Sequence, residues 1–205
     1  PGVLMLPPFY YKGPSDDGLF AYFSEVVNRV GGGVKIYLYH FPQMSGVPLS
    51  LALIERLRER YPSVVVGMKD SSGDLANMRA AIEAFPGFRV LSGSDELLLP
   101  ILEAGGAGCI TAVANVAAAL AAEVLAFWRV GDGAAGRDAQ ARLSAVRKAI
   151  AAFPMTAALK EILADHFGDP RWRATRPPLM PLDRGAAASL ASALDRLGFT
   201  PPPGP

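Results

Sequence analysis

The first candidate for chemistry in this sequence is Lys69, which ends the short apolar run Val64–Lys69. Adjacent β-branched valines in that run predict a strand buried on both faces. Because side chains alternate along a strand, Val65, Gly67 and Lys69 are expected to share one face. The lysine would then leave the carboxyl end of the strand beside buried neighbours, where an ammonium group is rarely placed for packing.

The strand alone leaves two interpretations of Lys69 open. One is an ion pair at the end of a sheet, with Asp70 or Asp74 as the partner. The other is a nucleophile, because a neutral lysine amine attacks carbonyl carbons and forms an imine. Structural ion pairs also perturb lysines, so this position by itself does not choose between the two.

Tyr39 is a second candidate, because it closes the strand-like run Val34–Tyr39, one strand before Lys69. If the two strands are parallel neighbours, both side chains lie over the same edge of the sheet. Cleavage of a carbon–carbon bond beside a carbonyl needs an electron sink, which a protonated lysine imine provides, and a proton shuttle, for which a phenol is suitable. The alternative is a packed aromatic whose hydroxyl is satisfied by a neighbour, the role expected of Tyr37 on the same face.

Composition restricts the classes of function that need to be considered. The chain has 205 residues, of which 51% are hydrophobic, and a formal net charge of +1 without a basic stripe, so neither nucleic acid nor a membrane is a predicted partner. The single cysteine, Cys109, lies in an apolar run and indicates a small buried residue in a reducing, cytoplasmic compartment. His40 and His166 are far apart and distant from the cysteine, so no metal site is predicted.

Strand-like and helix-like segments alternate over the first half of the chain. The predicted strands are Val3–Leu6, Val34–Tyr39, Val64–Lys69, Phe88–Leu91 and Gly108–Ala112. Ser15 and Ser50 are predicted to cap helices between them, and Asp74–Phe85 and Glu96–Glu103 are predicted to form two more. This alternation predicts an α/β fold with a parallel sheet, either doubly wound or most of an eight-fold barrel. Polar side chains at the ends of several strands favour the barrel.

From about Val116 onward the apolar pattern is wholly helical. Helices are predicted to about Val130, over Ala134–Ala152 and Pro154–Phe167, and from a cap at Asp183 to Leu197. The predicted domains are therefore a partial (β/α) barrel over residues 1–130 and a C-terminal helical domain over residues 131–205.

Several short segments together resemble one enzyme family. They are Pro8–Tyr11, Leu38–Pro42 with Ser45 and Gly46, Gly67–Gly73, Leu91–Asp95, and Gly108–Thr111 with Ala114 and Asn115. Their residues and their order resemble the dihydrodipicolinate synthase / N-acetylneuraminate lyase family over nearly the whole chain. The resemblance implies a (β/α)8 TIM barrel with a C-terminal helical domain, a homo-oligomer (tetramer or dimer), and a class I aldolase that uses pyruvate or another 2-oxo acid without a metal or organic cofactor.

The resemblance also assigns roles to individual residues. It makes Lys69 the Schiff-base lysine, Tyr39 the proton shuttle beside the imine, and Tyr10 the relay tyrosine that family members lend to a neighbouring subunit. Tyr11 is an alternative for the relay, because the turn that follows is one residue longer here. The residues assigned to substrate binding are Ile110, Gly93, Ser45, Gly46 and Ser71.

The start of the chain departs from the family pattern. Family members carry about three further barrel strands before the point where this sequence begins. The chain is therefore expected to correspond to about strands 4 to 8 of the barrel and to lack the first strands. Those strands hold the hydroxyl-rich segment that grips the carboxylate of pyruvate.

The second departure concerns substrate choice. Dihydrodipicolinate synthases place an arginine in the loop after the tyrosine strand, where it binds a substrate carboxylate, but Met44 holds the matching position here. A thioether cannot form a bidentate pair with a carboxylate. The prediction is therefore a lyase or aldolase of the 4-hydroxy-2-oxoglutarate or 2-keto-3-deoxy sugar acid type. The alternatives are dihydrodipicolinate synthase itself and a non-catalytic barrel that binds an oxo acid.

Overall fold

The computed structural model describes residues 2–201, and within them five parallel strands form a sheet in chain order. The strands are β1 (Gly2–Met5), β2 (Lys35–His40), β3 (Val65–Asp70), β4 (Arg89–Ser92) and β5 (Gly108–Cys109). Each pairs in parallel with the next, so all carboxyl ends lie along one edge of the sheet. The predicted strands and their parallel arrangement are confirmed, with bounds that differ by a few residues.

Helices connect successive strands, as parallel pairing requires. They are α1 (Asp16–Val30), α2 (Pro42–Ser45), α3 (Leu51–Arg60), α4 (Leu75–Ala84) and α5 (Leu98–Glu103). The predicted caps are present, since the hydroxyls of Ser15 and Ser50 accept hydrogen bonds from the first turns of α1 and α3. A 3-10 turn, Asp95–Leu97, stands where α5 was predicted to begin. The short helix α2 was not predicted, because four residues are too few to show a helical period.

The core of this part of the chain lies between one face of the sheet and the helices. Ile36, Leu38, Met68 and Val90 are at most 1% exposed and pack in one cluster with apolar residues of α1, α3 and α4. The opposite face is only half-buried, and it carries Tyr37, Tyr39, Lys69 and Leu91 at paired positions. The apolar core and the residues Tyr39 and Lys69 therefore lie on opposite faces of the same strands.

An irregularity in β3 corrects the expected alternation. Val65 pairs with Ile36, whereas the next residue of β2, Tyr37, pairs with Gly67, so one residue of β3 is skipped. Val65 consequently lies on the core face with Ile36, not on the face of Lys69. The expectation that Val65 and Lys69 share a face was wrong, because the skipped residue interrupts the two-residue period.

The chain divides into two units, one ending at Ile110 and one beginning at Thr111. The second is helical, with α6 (Ala114–Arg129), α7 (Gly133–Ala151), α8 (Met155–Phe167) and α9 (Arg184–Arg196). The predicted helices are confirmed, and Asp183 caps α9 by accepting from Ala186 N at 2.8 Å. The predicted domain limit at residue 130 counts α6 with the barrel and stays a prediction. In the part of the chain described, no helix has the length and apolar character needed to cross a bilayer.

Candidate active site

Lys69 and Tyr39 lie side by side at the carboxyl edge of the sheet. They are register partners on β3 and β2, each the last residue but one of its strand. Lys69 Nζ donates to Tyr39 Oη at 3.0 Å and also lies 4.3 Å from the centre of the tyrosine ring. An amine and a phenol in direct contact can exchange a proton without an intervening water.

The carboxylates that could have formed an ion pair with Lys69 are used elsewhere. Asp70, which is fully buried, accepts from Ser72 N at 2.8 Å and from Asn77 Nδ2 at 2.7 Å. Asp74 accepts from the first amides of α4 and caps that helix. Within residues 2–201 neither carboxylate forms an ion pair with Lys69. The geometry therefore does not favour an ion pair as the role of Lys69.

Tyr39 occupies an environment that shifts its acidity. Burial acts to raise the pKa of Tyr39, but hydrogen bonds from Lys69 and Ser71 and the charge of Lys69 together outweigh it and hold the pKa below its usual value. Ser71 Oγ lies 3.5 Å from Tyr39 Oη, and the Phe41 ring stacks on the tyrosine with the ring centres 6.0 Å apart. The phenol is thus positioned by contacts on several sides.

Gly93 and Ser71 fit together beside this pair. A Cβ on Gly93 would lie 2.0 Å from Ser71 Oγ, so only glycine leaves room for the serine. Backbone hydrogen bonds hold both residues, from Gly93 N to Asp70 O at 2.6 Å and from Ser71 N to His40 O at 2.8 Å. The ends of β2, β3 and β4 therefore place the Ser71 hydroxyl against Tyr39.

Comparison with known proteins identifies the family of this chain. The chain matches the dihydrodipicolinate synthetase family over residues 1–197. It belongs to this family. It is 39% identical to an uncharacterized DapA-like lyase of Chloroflexus aurantiacus, over 97% of this chain and 66% of that protein. It is 32% identical to the putative 2-dehydro-3-deoxy-D-gluconate aldolase YagE of Escherichia coli K12, over 96% of this chain and 65% of that protein.

Solved structures of the family confirm the fold. Escherichia coli YagE in complex with pyruvate matches with a TM-score of 0.87 and 31% identity, over 96% of this chain and 66% of that chain. Dihydrodipicolinate synthase from Thermotoga maritima matches with a TM-score of 0.85 and 26% identity, over 96% and 66%. The fold is thus a (β/α)8 barrel of this family, present in part, with a C-terminal helical part. The chain spans 66% of the length of the relative from Chloroflexus.

The tyrosines that the family resemblance singles out as relay candidates are exposed. Tyr10 is 82% and Tyr11 is 74% exposed, and their rings meet edge to face with the centres 5.4 Å apart. Among the described residues no contact joins either ring to Tyr39 or Lys69. The choice between Tyr10 and Tyr11 as the relay residue of a family member stays open.

The segment after β2 buries the side chain of Ser45 and uses Gly46 to end a helix, although both were predicted to bind substrate. Ser45 is 2% exposed, and its hydroxyl lies 3.0 Å from the carbonyl oxygens of Phe41 and Val47, so its side chain is bonded within its own loop. Gly46 ends α2 in the left-handed conformation, with φ of 65°. Met44 is 72% exposed, so its thioether is accessible to solvent.

Ile110 lies at the end of β5, the last strand of the sheet in chain order. Its amide donates to Ser92 O at 2.9 Å, which extends the pairing with β4 by one bond, and its side chain is 38% exposed. The predicted role of Ile110 in substrate binding is compatible with this position and stays a prediction.

A buried polar pair behind the site was not singled out from the sequence. His40 and Asp70 are register partners on the core face, directly after Tyr39 and Lys69. Leu49 N donates to His40 Nδ1 at 3.1 Å, so this nitrogen carries no proton. Burial lowers the pKa of His40, and this effect outweighs the negative charges of Asp70 and Asp74, which act to raise the pKa. The available signal was the pair of polar residues at adjacent strand ends, where core positions are expected to be apolar.

Cys109 does not compete with Lys69 as a nucleophile. Burial, aided by the charge of Asp95, raises the pKa of the Cys109 thiol to about 11, so the thiol is protonated at neutral pH. Among residues 2–201 no group of three or more histidine, cysteine or acidic side chains is arranged to hold a metal ion.

Proposed function

We propose that this protein is a class I lyase or aldolase that forms a Schiff base between Lys69 and a 2-oxo acid, with pyruvate as one partner of the reaction. The observation that carries the proposal is the 3.0 Å contact between Lys69 Nζ and Tyr39 Oη at the carboxyl edge of the sheet. Family membership supports it, since the relative YagE is named a putative 2-dehydro-3-deoxy-D-gluconate aldolase and its structure was solved with pyruvate.

In the first half of the proposed reaction, the neutral amine of Lys69 attacks C2 of the 2-oxo acid. The carbonyl oxygen takes up one proton from the amine and one from Tyr39 and leaves as water, so the nitrogen is left as a protonated imine and Tyr39 as a phenolate. Tyr39 Oη, in contact with the same nitrogen, transfers protons between the amine and the departing oxygen. Ser71, 3.5 Å from the phenol, is the next hydroxyl in the chain of transfer.

In the second half, the bond between C3 and C4 of a 4-hydroxy-2-oxo acid breaks. The 4-hydroxyl loses its proton to Tyr39 and becomes the carbonyl of the released aldehyde, while the bonding electrons move into the imine and produce an enamine. Tyr39 returns the proton to C3, and water adds to C2 and releases pyruvate with the free amine of Lys69. Synthesis follows the same steps in reverse.

The other predicted residues take supporting roles in this proposal. Gly93 provides room for Ser71, Ile110 and Gly46 line the substrate site, and Ser45 acts through its backbone. Tyr10, or Tyr11 in its place, reaches a neighbouring subunit of a cytoplasmic homo-oligomer, a role that agrees with its 82% exposure. The chemistry needs no cofactor, because the imine itself accepts the electrons.

The preferred substrates are 4-hydroxy-2-oxoglutarate or a 2-keto-3-deoxy sugar acid. Met44, exposed on the loop after β2, occupies the position at which the family resemblance expects a carboxylate-binding arginine in a dihydrodipicolinate synthase. An uncharged thioether there favours aldol cleavage over condensation with aspartate semialdehyde.

Covalent trapping tests the proposal. Borohydride added to the full-length protein with pyruvate is expected to reduce the imine and leave a pyruvyl-derived adduct on Lys69, located by mass spectrometry of peptides. Lys69→Ala should give no adduct, whereas Lys35→Ala, which alters an exposed lysine at the opposite edge of the sheet, should be trapped as the wild type is. An adduct on Lys35, or on no lysine, would refute the assignment.

Turnover separates the roles of the two residues. Lys69→Ala should abolish cleavage of the 4-hydroxy-2-oxo acid, and Tyr39→Phe should lower kcat by roughly 10²–10⁴-fold, the usual cost of a lost proton shuttle. Trapping at Lys69 should persist in Tyr39→Phe at a lower rate, since the amine remains. A Tyr39→Phe variant with wild-type kcat would exclude the phenol as the shuttle.

A further inference from the structure

Lys12 joins two loops at the carboxyl edge of the sheet. Its ammonium group is exposed, yet it donates to the carbonyl oxygen of Phe9 and, at 2.8 Å, to that of Ser45. Phe9 belongs to the loop after β1, and Ser45 is the last residue of α2, which lies in the connection after β2. We call this pair of hydrogen bonds the Lys12 bridge.

The bridge encloses the exposed tyrosines. Tyr10 and Tyr11 are the residues between Phe9 and Lys12, so the bond from Nζ to the Phe9 carbonyl closes a turn around them. The bond to Ser45 then attaches that turn to the neighbouring loop. Although both rings are exposed, the backbone that carries them is held at a defined place.

The loop after β2 has space for the lysine because it contains Gly46. A Cβ on Gly46 would lie 2.9 Å from Lys12 Cδ and 3.2 Å from Nζ, so the stem of Lys12 rests directly on the glycine backbone. Gly46 also needs its positive φ of 65° to end α2. The lysine and the glycine therefore form one packed contact.

The far end of the bridge is firmly connected to Tyr39. Ser45 N donates to Phe41 O at 2.9 Å, and the Ser45 hydroxyl lies 3.0 Å from the same oxygen. The Phe41 ring stacks on Tyr39 at an angle of 24°. A displacement of Ser45 would thus move Phe41 and release the face of the Tyr39 ring.

A second side chain continues the connection to the loop after β3. Gln43 Nε2 donates to Ser72 O at 2.7 Å, next to Ser71, whose hydroxyl faces Tyr39. Lys12 and Gln43 together link the loops after β1, β2 and β3 through side-chain bonds to backbone carbonyls. Among these links, the Lys12 bridge alone reaches the loop that carries Tyr10.

We propose that Lys12 is a positioning residue for the Schiff-base reaction, which holds the Tyr10 loop and the Tyr39 ring in one fixed arrangement. The inference rests on the proposed function. An ammonium group that donates to two carbonyls forms charge-assisted bonds, which fix loop backbone more strongly than neutral ones. Misplacement of reacting groups by about 1 Å can cost on the order of 10²-fold in rate, so fixing these loops has catalytic value.

Kinetics of Lys12 variants test the inference in the full-length protein. Lys12→Met keeps the stem that packs on Gly46 and removes the donors, and it is expected to lower kcat for cleavage of the 4-hydroxy-2-oxo acid by roughly 10-fold or more, with KM nearly unchanged. Lys12→Arg, which keeps a cationic donor, should restore most of the rate. The expected KM follows from Lys12 binding backbone rather than substrate.

Lys35→Met is the matched control. Lys35 Nζ donates to the carbonyl of Ser63 at the amino end of β2, so this variant removes a lysine–carbonyl bond of the same kind at the opposite edge of the sheet. Its kcat should equal that of the wild type. An equal loss in Lys35→Met and Lys12→Met, an unchanged kcat in Lys12→Met, or a rise in KM alone would each overturn the positioning role.

Hydrogen exchange tests the bridge without reference to the reaction. Amides of residues 9–13 and 44–47 should exchange faster in Lys12→Met than in the wild type, and at the wild-type rate in Lys35→Met. Unchanged exchange in Lys12→Met would refute the bridge whatever the protein catalyses. If exchange is faster in Lys12→Met but the wild-type protein never traps pyruvate, the bridge stands. That result would refute the proposed function and, with it, the catalytic role of Lys12.

Discussion

At the scale of single residues, the acidity of Tyr39 is set by its burial and by its contacts with Lys69 and Ser71, which act in opposite directions. Burial raises the pKa of the phenol, whereas hydrogen bonds from Lys69 and Ser71 and the charge of Lys69 lower it further than burial raises it. The phenolate is therefore more populated at a given alkaline pH than in an ordinary tyrosine. Under the proposed function, a lowered pKa suits this phenol, because a proton shuttle releases and recovers a proton in each cycle.

Removing the ammonium group should therefore raise the pKa of Tyr39. In Lys69→Met the burial remains, but the largest lowering contribution and the charge are both lost. The phenolate absorbance that Tyr39→Phe removes from an alkaline titration identifies the transition of this tyrosine. That transition should move to higher pH in Lys69→Met, and a midpoint that stays in place or falls would show that Lys69 does not stabilise the phenolate.

The sequence was sufficient to bring Lys69 and Tyr39 together but not to find Lys12. Both members of the first pair are predicted to end strands, and parallel neighbours that end together place their last side chains on one edge. Lys12 and Ser45 lie 33 residues apart in the connections after two different strands, where no periodicity predicts which side chain meets which carbonyl. The same limit applies to Ser45, whose buried hydroxyl depends on how its loop folds back on itself.

At the scale of elements, the pairing of β2, β3 and β4 depends on a glycine in the middle strand. A Cβ on Gly67 would lie 2.5 Å from the carbonyl oxygen of Arg89 on β4 and 2.6 Å from Tyr37 Cδ1 on β2. The Tyr37 ring therefore covers the position where a side chain of β3 would stand. The absence of a side chain at Gly67 gives Tyr37 its place on the face that carries Lys69.

Gly67→Ala should consequently destabilise the protein. Because the nearest atoms are a backbone oxygen and a packed ring, the added methyl group has to displace a strand or the ring, at a cost of about 1–3 kcal/mol in the free energy of unfolding. Gly33→Ala is the control, since nothing lies within 4 Å of its added Cβ, and it should change stability by less than about 0.5 kcal/mol. Equal denaturation midpoints for the two variants would contradict the close packing at Gly67.

Most elements could be predicted because apolar periodicity and helix caps are local signals. Ser15, Ser50 and Asp183 cap helices where the sequence places them. The skipped residue in β3 could not be predicted, because it depends on how Val65 and Gly67 fit against β2 rather than on any property of β3 alone. The helix α2 also depends on contacts outside its own four residues. It ends at Gly46, and Gly46 packs against Lys12, which is distant in the sequence.

At the scale of the whole molecule, family membership indicates a lyase or aldolase, but it does not identify the substrate. Relatives of similar identity carry different names, including a 4-hydroxy-tetrahydrodipicolinate synthase of Acidiphilium cryptum at 34% and the putative sugar-acid aldolase YagE at 32%. Under the proposed function, the strands that hold Lys69 and Tyr39 would serve any reaction through an imine. Groups that bind the remainder of a substrate would stand on the connections after the strands, and a connection such as that of Met44 can change without affecting the sheet.

Substrate preference should therefore follow Met44. We expect the full-length protein to cleave a 4-hydroxy-2-oxo acid or a 2-keto-3-deoxy sugar acid, and to condense pyruvate with aspartate semialdehyde poorly or not at all, in coupled assays of both reactions. Met44→Arg adds a bidentate carboxylate partner worth about 1.5–3 kcal/mol, which should raise kcat/KM for the condensation roughly ten- to hundredfold. Met44→Gln, of similar length but uncharged, should not produce that gain. Efficient condensation by the wild-type protein would place it among the dihydrodipicolinate synthases and show that another basic group replaces the arginine.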